Sequence, residues 1–81
     1  MTGTNQLALL HYGTPDFRVV RGGDHVLCAV TGQRIPLTRL AYWSVAHQEA
    51  YAGPEEAVRA EQAGGARKLL TAMAEEQPAG A

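Results

Sequence analysis

The chain has few of the groups that usually stabilise or activate very small domains. It contains a single cysteine, Cys28, among 81 residues, which excludes an intrachain disulfide. Its net charge of -1 gives no general electrostatic basis for binding nucleic acid. No apolar run approaches the roughly 18 residues that a membrane-spanning helix needs. These absences leave one small domain that must hold its core together without a disulfide.

The start of the chain also lacks the features of a secretory signal. The sequence MTGTNQLALLHYG has no basic segment before its apolar residues, and the apolar stretch is short. A single free thiol is ordinary in a reducing compartment. We therefore expect a cytoplasmic protein with no membrane partner.

The composition changes near residue 53. Residues 1–53 contain every aromatic residue and all three histidines, whereas residues 54–81 are rich in alanine and glutamate. The first part is expected to form a compact β-rich core with a knuckle and a first helix. The second part is expected to be a helical tail whose last residues are frayed. The predicted class is α+β, with a small antiparallel sheet of three or four short strands followed by C-terminal helices.

Turn signals divide the first part into strand-like runs. The runs cover residues 6–12, 17–21, 25–30 and 41–45, and glycine-rich or proline-containing segments separate them. The segment Gly22-Gly23-Asp24 between the second and third runs is typical of a tight turn. It predicts that these two runs pair as a β-hairpin.

Capping signals predict the helices. Ser44 is a suitable N-cap for a helix over residues 45–52, because its hydroxyl can accept from the first free amides. The sequence Pro-Glu-Glu predicts a second helix over residues 54–63, since proline and acidic residues favour a helix start. Gly64-Gly65 should end it, and a third helix is expected over residues 66–75.

The middle of the chain resembles a zinc knuckle that has lost ligands. The segment from Cys28 to Gly32 keeps the spacing of the C-x-x-C-G knuckle, but Thr31 replaces the second cysteine. A neutral hydroxyl is a poor zinc ligand. The spacing therefore predicts the turn of a knuckle without its usual metal chemistry.

The segment that follows resembles the YHS and TRASH treble-clef families, whose motif is aromatic-C-S-x-x-C-x-x-x-aromatic. Tyr42, Ser44 and Tyr51 keep their places, while Trp43 and His47 stand where the cysteines would be. Our preferred interpretation is a metal-free, treble-clef-like knuckle in which Trp43 fills the space of the metal and its sulfurs. The alternative is a zinc-binding or nucleic-acid-binding finger, with Cys28 and His47 as the available metal ligands.

The order of several short segments is similar to a particular family. The segments DFRV, CAVTG, IPL, YWSV and QEAY resemble the short proteobacterial proteins of domain-of-unknown-function family 2093 over about residues 13–51. The resemblance implies a small bacterial domain and no particular activity. It also implies that His47 is dispensable, because that position is often arginine in the family. The residues taken as the structural signature are Cys28, Thr31, Gly32, Ile35, Pro36, Tyr42, Trp43, Ser44 and Tyr51.

The residues do not favour catalysis. Cys28 and His47 are the only plausible nucleophile and base, but Cys28 lies in an apolar run where a thiol is usually buried and inert. We therefore predict a non-enzymatic protein-interaction or accessory module without a cofactor, whose partner is a protein or a second copy of the chain. The tail residues Leu69, Leu70 and Met73 either dock on that partner or belong to a frayed tail. Two features support nucleic acid as the alternative partner: the resemblance to treble-clef families, whose members bind nucleic acid, and a basic face that would use Arg18, Arg21, Arg34 and Arg39.

Overall fold

A computed structural model describes residues 6–76 as three β-hairpins followed by two helices. The predicted α+β class is confirmed, although six short strands form instead of three or four. The expectation that residues 77–81 are frayed lies outside the described residues. The strands are β1 (Leu9–His11), β2 (Arg18–Arg21), β3 (His25–Leu27), β4 (Arg34–Pro36), β5 (Tyr42–Ser44) and β6 (Glu49–Tyr51), and the helices are α1 (Pro54–Ala63) and α2 (Ala66–Glu76), with a 3-10 turn at Leu37–Arg39.

Consecutive strands pair in antiparallel fashion, as β1 with β2, β3 with β4, and β5 with β6. The predicted pairing of residues 17–21 with 25–30 is therefore wrong. The second glycine between these runs, Gly23, instead lets two backbones lie close together. A Cβ atom on Gly23 would lie 2.5 Å from the Ala8 amide nitrogen. Only glycine fits there, and the chain continues into β3 beside residues 6–8.

The three hairpins are joined by a few backbone contacts. The Ala8 amide donates to the His25 carbonyl at 2.8 Å, which links the first hairpin to the second. The Ala29 amide donates to the Ala50 carbonyl at 2.8 Å, which links the second hairpin to the third. The core lies where the hairpins meet. Its buried members are Ala8, Leu10, Tyr12, Val26, Cys28, Ile35, Leu40 and Ala50.

The predicted helix over residues 45–52 is wrong, because this segment forms the turn of the third hairpin and strand β6. The capping bond expected of Ser44 does form, since its hydroxyl accepts from the His47 amide at 3.0 Å. The turn then ends at Gln48, whose positive φ of 52° cannot continue a right-handed helix. A local capping signal was thus overridden by pairing of the following residues with β5.

The two C-terminal helices agree with the predictions. Gly64 and Gly65 both have positive φ, at 92° and 119°, and the Gly65 amide donates to the Ala60 carbonyl at 2.7 Å. This is the bonding of a Schellman helix end, for which glycine is favoured. The first helix packs against the third hairpin, and Leu69 of the second helix is buried whereas Leu70 is 42% exposed.

Neither helix within residues 6–76 is long and apolar enough to cross a membrane.

Candidate functional site

The turn after β3 has the shape that its sequence predicts. The Gly32 amide donates to the Cys28 carbonyl at 2.8 Å, and Gly32 has a φ of 76°, which favours glycine. The Thr31 amide points at the Cys28 sulfur, with a nitrogen-to-sulfur distance of 3.5 Å. The hydroxyl of Thr31 does not face outward as a free ligand, because it accepts from the Gln33 amide at 3.1 Å.

Two opposing effects act on the Cys28 thiol, which is only 2% exposed. Burial raises its pKa, but hydrogen bonds from the Thr31 hydroxyl and from the amides of Thr31, Ala52 and Val30 lower it. The hydrogen bonds together prevail, and the pKa lies below its ordinary value. The sulfur therefore sits among donors that favour a thiolate, while its burial keeps reagents away from it.

The second candidate ligand, His47, lies in a different environment. It is exposed on the turn between β5 and β6, and its ring faces the junction of the two helices. A Cβ atom on Gly65 would lie 3.2 Å from His47 Nδ1, so the absence of a side chain at Gly65 makes room for the ring. Within residues 6–75, no three side chains of the ligand-forming types histidine, cysteine, aspartate and glutamate come together.

Trp43 joins the third hairpin to the first. Its ring lies edge-on to Phe17, with centroids 5.5 Å apart, and tilted against Tyr12 at 6.3 Å. Its indole nitrogen donates to the Gly13 carbonyl at 2.9 Å. The side chain is half-buried, not enclosed in the centre of the core. These ring contacts and this hydrogen bond hold the loop between β1 and β2 against the third hairpin.

The remaining signature residues divide between the core and its edges. Ile35 is buried opposite Val26 in the second hairpin. Tyr51 is buried, whereas its cross-strand neighbour Tyr42 is 40% exposed. Pro36 is an exposed residue at the end of β4, a position where a missing amide is tolerated. These placements assign the residues a structural part in the fold.

Gln48 is an important residue that the sequence did not reveal. Its side-chain oxygen accepts from the Tyr12 amide at 2.9 Å, and its side-chain nitrogen donates to the Tyr12 carbonyl at 2.8 Å. The same nitrogen also donates to the Val45 carbonyl at 2.8 Å. The amide side chain thereby replaces a strand partner for Tyr12. No local pattern marks a glutamine for this use, since its partner lies 36 residues away.

Glu49 is a second residue whose long-range contacts the sequence did not reveal. Its Oε2 atom accepts from the Ala66 amide at 2.8 Å, at the first residue of α2, and from the Tyr51 hydroxyl at 2.7 Å. A carboxylate at a helix N-terminus satisfies a free amide and interacts favourably with the helix dipole. Burial, and then the Glu49 carboxylate, raise the pKa of Tyr51. The core and the helical tail are therefore joined through one side chain.

An apolar slot opens on the surface between β1 and the neighbouring parts of the second and third hairpins. Its volume is about 260 Å³. Three of its lining side chains, Leu7, Leu9 and Leu27, are between 47% and 52% exposed. Slot residues Ala8 and Tyr12 hold β1 to its neighbours, Ala8 through its bond to the His25 carbonyl and Tyr12 through Gln48. We refer to this feature as the leucine slot.

Strand β2 provides a second exposed surface. All four of its residues, Arg18, Val19, Val20 and Arg21, are exposed. The two arginines belong to the predicted basic face. They lie on the same short strand, on either side of two valines, so the positive charge there is combined with apolar surface.

The knuckle and the third hairpin lie inside the part of the chain that matches a known family, whereas Leu7 and Leu9 of the leucine slot precede it. No curated protein and no solved structure matches the chain. A bacterial family described as "Uncharacterized protein conserved in bacteria (DUF2093)" matches residues 19–60, from the first valine of β2 into helix α1. Since this match covers half of the chain, and includes the whole knuckle and third hairpin, the protein belongs to the DUF2093 family.

Proposed function

We propose that this chain is a non-enzymatic protein-interaction or accessory module of the bacterial cytoplasm, which binds a protein partner or a second copy of itself. The observation that carries the proposal is the leucine slot, where three large apolar side chains remain about half exposed around one concavity. Apolar residues grouped in this way on a small protein commonly mark an interaction surface. The bacterial family and the single free thiol support the cytoplasmic location.

The environment of the candidate catalytic pair, Cys28 and His47, supports a non-enzymatic role. Cys28 is buried beneath its own turn, whereas His47 is exposed on another turn with its ring against Gly65. A nucleophilic thiol needs an accessible face and a base within hydrogen-bonding reach. The hydrogen bonds around Cys28 come from Thr31 and from backbone amides, which stabilise the turn.

The same contacts support a knuckle that folds without metal. Hydrogen bonds within the turn satisfy the Thr31 hydroxyl and hold the glycine conformation, and Gln48 and Trp43 join the hairpins. Elemental analysis of protein purified without added metal tests this part of the proposal. Stoichiometric zinc, with loss of the fold in a chelator, would overturn it and favour the zinc finger.

The interaction itself is tested by quantitative affinity capture with matched leucine variants. Leu27→Ser alters the slot, and Leu70→Ser alters a similarly exposed leucine on α2. We expect Leu27→Ser to remove the captured protein and Leu70→Ser to retain it, with both variants folded. Sedimentation of the free protein would show whether the occupant is a second copy. Equal capture by both variants and the absence of self-association would contradict the assignment to the slot.

A further inference from the structure

The outer strand of the first hairpin, β2, is exposed at each of its four residues. Within residues 6–76, β2 pairs only with β1. Val19 is 52% exposed and Val20 is 62% exposed, the latter being the highest value among the large apolar side chains of the described residues. This strand is a surface distinct from the leucine slot, because no residue of β2 lines the slot.

An irregularity in pairing between β1 and β2 lies at the two valines. Leu10 faces Val19 and Leu9 faces Arg21, so Val20 has no residue opposite it. A bulge of this kind interrupts the strict alternation of side chains along a strand. The two valines are therefore not forced onto opposite faces of the hairpin, and they can present one apolar surface.

The arginines at the two ends specify the charge of a suitable partner. The side chains of Arg18 and Arg21 form no ion pair or hydrogen bond with residues 6–75. A second copy paired in antiparallel fashion would bring arginine towards arginine, which is unfavourable. Carboxylates placed on either side of a short apolar segment would instead meet a positive group at each end.

We propose that β2 docks a protein segment in which adjacent aliphatic residues are flanked by acidic residues. The aliphatic side chains would cover Val19 and Val20, and the carboxylates would pair with Arg18 and Arg21. This assignment rests on the proposed interaction function and gives it a partner chemistry. Nucleic acid is the less suitable occupant, because phosphates would engage the arginines but leave the valines exposed to water.

The test is an NMR titration of the full chain with synthetic peptides. The probe contains a central Glu-Val-Val-Glu, and the controls contain Lys-Val-Val-Lys or Glu-Ser-Ser-Glu. We expect only the first peptide to shift the amide signals of residues 18–21 and the adjoining β1 signals. Failure of that peptide to shift them at millimolar concentration would overturn the proposal. Equal shifts with a uridine decamer would also overturn it in favour of nucleic acid.

Charge reversal provides the matched variants. Arg18→Glu with Arg21→Glu should weaken binding of the acidic peptide about tenfold and create binding of the lysine peptide. Arg67→Glu, on the exposed surface of α2, should leave the binding of the acidic peptide and of the lysine peptide as in the wild type. Val19→Thr with Val20→Thr should abolish binding while keeping β-branched residues in the strand. Self-association lost in this valine variant would identify a second copy as the occupant and overturn the acidic assignment.

The two proposals can fail separately. If Leu27→Ser removes a captured protein while the β2 variants and peptides have no effect, the interaction function stands and the acidic docking strand is wrong. If the acidic peptide binds β2 but Leu27→Ser has no effect on capture, the leucine slot is wrong and β2 is the interaction surface.

Discussion

Gly23 should be one of the least replaceable residues of the fold, although its neighbour Gly22 is freely replaceable. A Cβ atom on Gly23 would lie 2.5 Å from the Ala8 amide nitrogen and 2.7 Å from the Gln6 carbonyl oxygen, both backbone atoms. A Cβ atom on Gly22 would have no neighbour within 4 Å. The substitutions Gly23→Ala and Gly22→Ala thus make the same chemical change in two adjacent environments.

The expected cost follows from the contacts that must open. Relief of the clash separates residues 6–8 from the segment before β3, where the Asp24 amide donates to Gln6 at 3.0 Å and the Ala8 amide donates to His25 at 2.8 Å. Loss of both bonds costs about 2 kcal/mol, and residual crowding adds about 1–3 kcal/mol. Restriction of the unfolded chain by alanine offsets about 0.4–1 kcal/mol.

Gly23→Ala should therefore lower the free energy of unfolding by about 2–4.6 kcal/mol, which corresponds to a fall in Tm of roughly 8–37 °C for a domain of this size. Gly22→Ala should be neutral or stabilise the protein by up to about 1 kcal/mol. Urea unfolding followed by Trp43 fluorescence measures both values, and amide exchange at Ala8 and Asp24 reports the local opening. Equal stability of the two variants would refute the close approach of these backbones.

Three further predictions concern the third hairpin. Gln48→Ala should lower the free energy of unfolding by about 2 kcal/mol and accelerate amide exchange at Tyr12, because both backbone groups of Tyr12 lose their partner. Unchanged exchange at Tyr12 would contradict these hydrogen bonds. Glu49→Gln should cost about 0.5–1 kcal/mol and accelerate exchange at Ala66, since a neutral amide caps a helix less strongly than a carboxylate; protection equal to wild type would exclude the cap. The pKa of Tyr51 is raised above 10.0 in the folded protein, so the stability from its neutral hydroxyl is complete below that pH and declines as pH rises beyond it. Urea midpoints between about pH 9 and pH 11 should show this decline, and Tyr51→Phe should reduce it; an identical decline in the variant would assign it elsewhere.

Local chemistry was sufficient to place most elements along the chain. Proline at the start of α1 and the glycine pair at its end act within a few residues, so the helix boundaries could be read directly. The turn at Gly32 was also recognisable, because its spacing and its glycine are both local. The runs that became β1, β2 and β3 were found for the same reason.

The errors arose where distant residues compete with local signals. Ser44 makes its capping bond, but burial of Ala50 and Tyr51 in a hairpin prevails over the helix that this bond would start. Gly22 and Gly23 have the composition of a hairpin turn, yet Gly23 is required because residues 6–8 pass close to it. Neither competitor can be recognised without knowing which segments meet.

The sequence by itself determined the α+β class, the two helices, the knuckle turn and the family, because these depend on short-range conformational preferences and on residue order. The tertiary structure alone decided the strand pairing, the hydrogen bonds between the Gln48 side chain and Tyr12, and the cap that Glu49 provides for α2. It also decided which apolar residues remain exposed at the leucine slot and on β2. The physical reason is that hydrogen bonds and burial between distant segments exceed local preferences once the chain has brought those segments together.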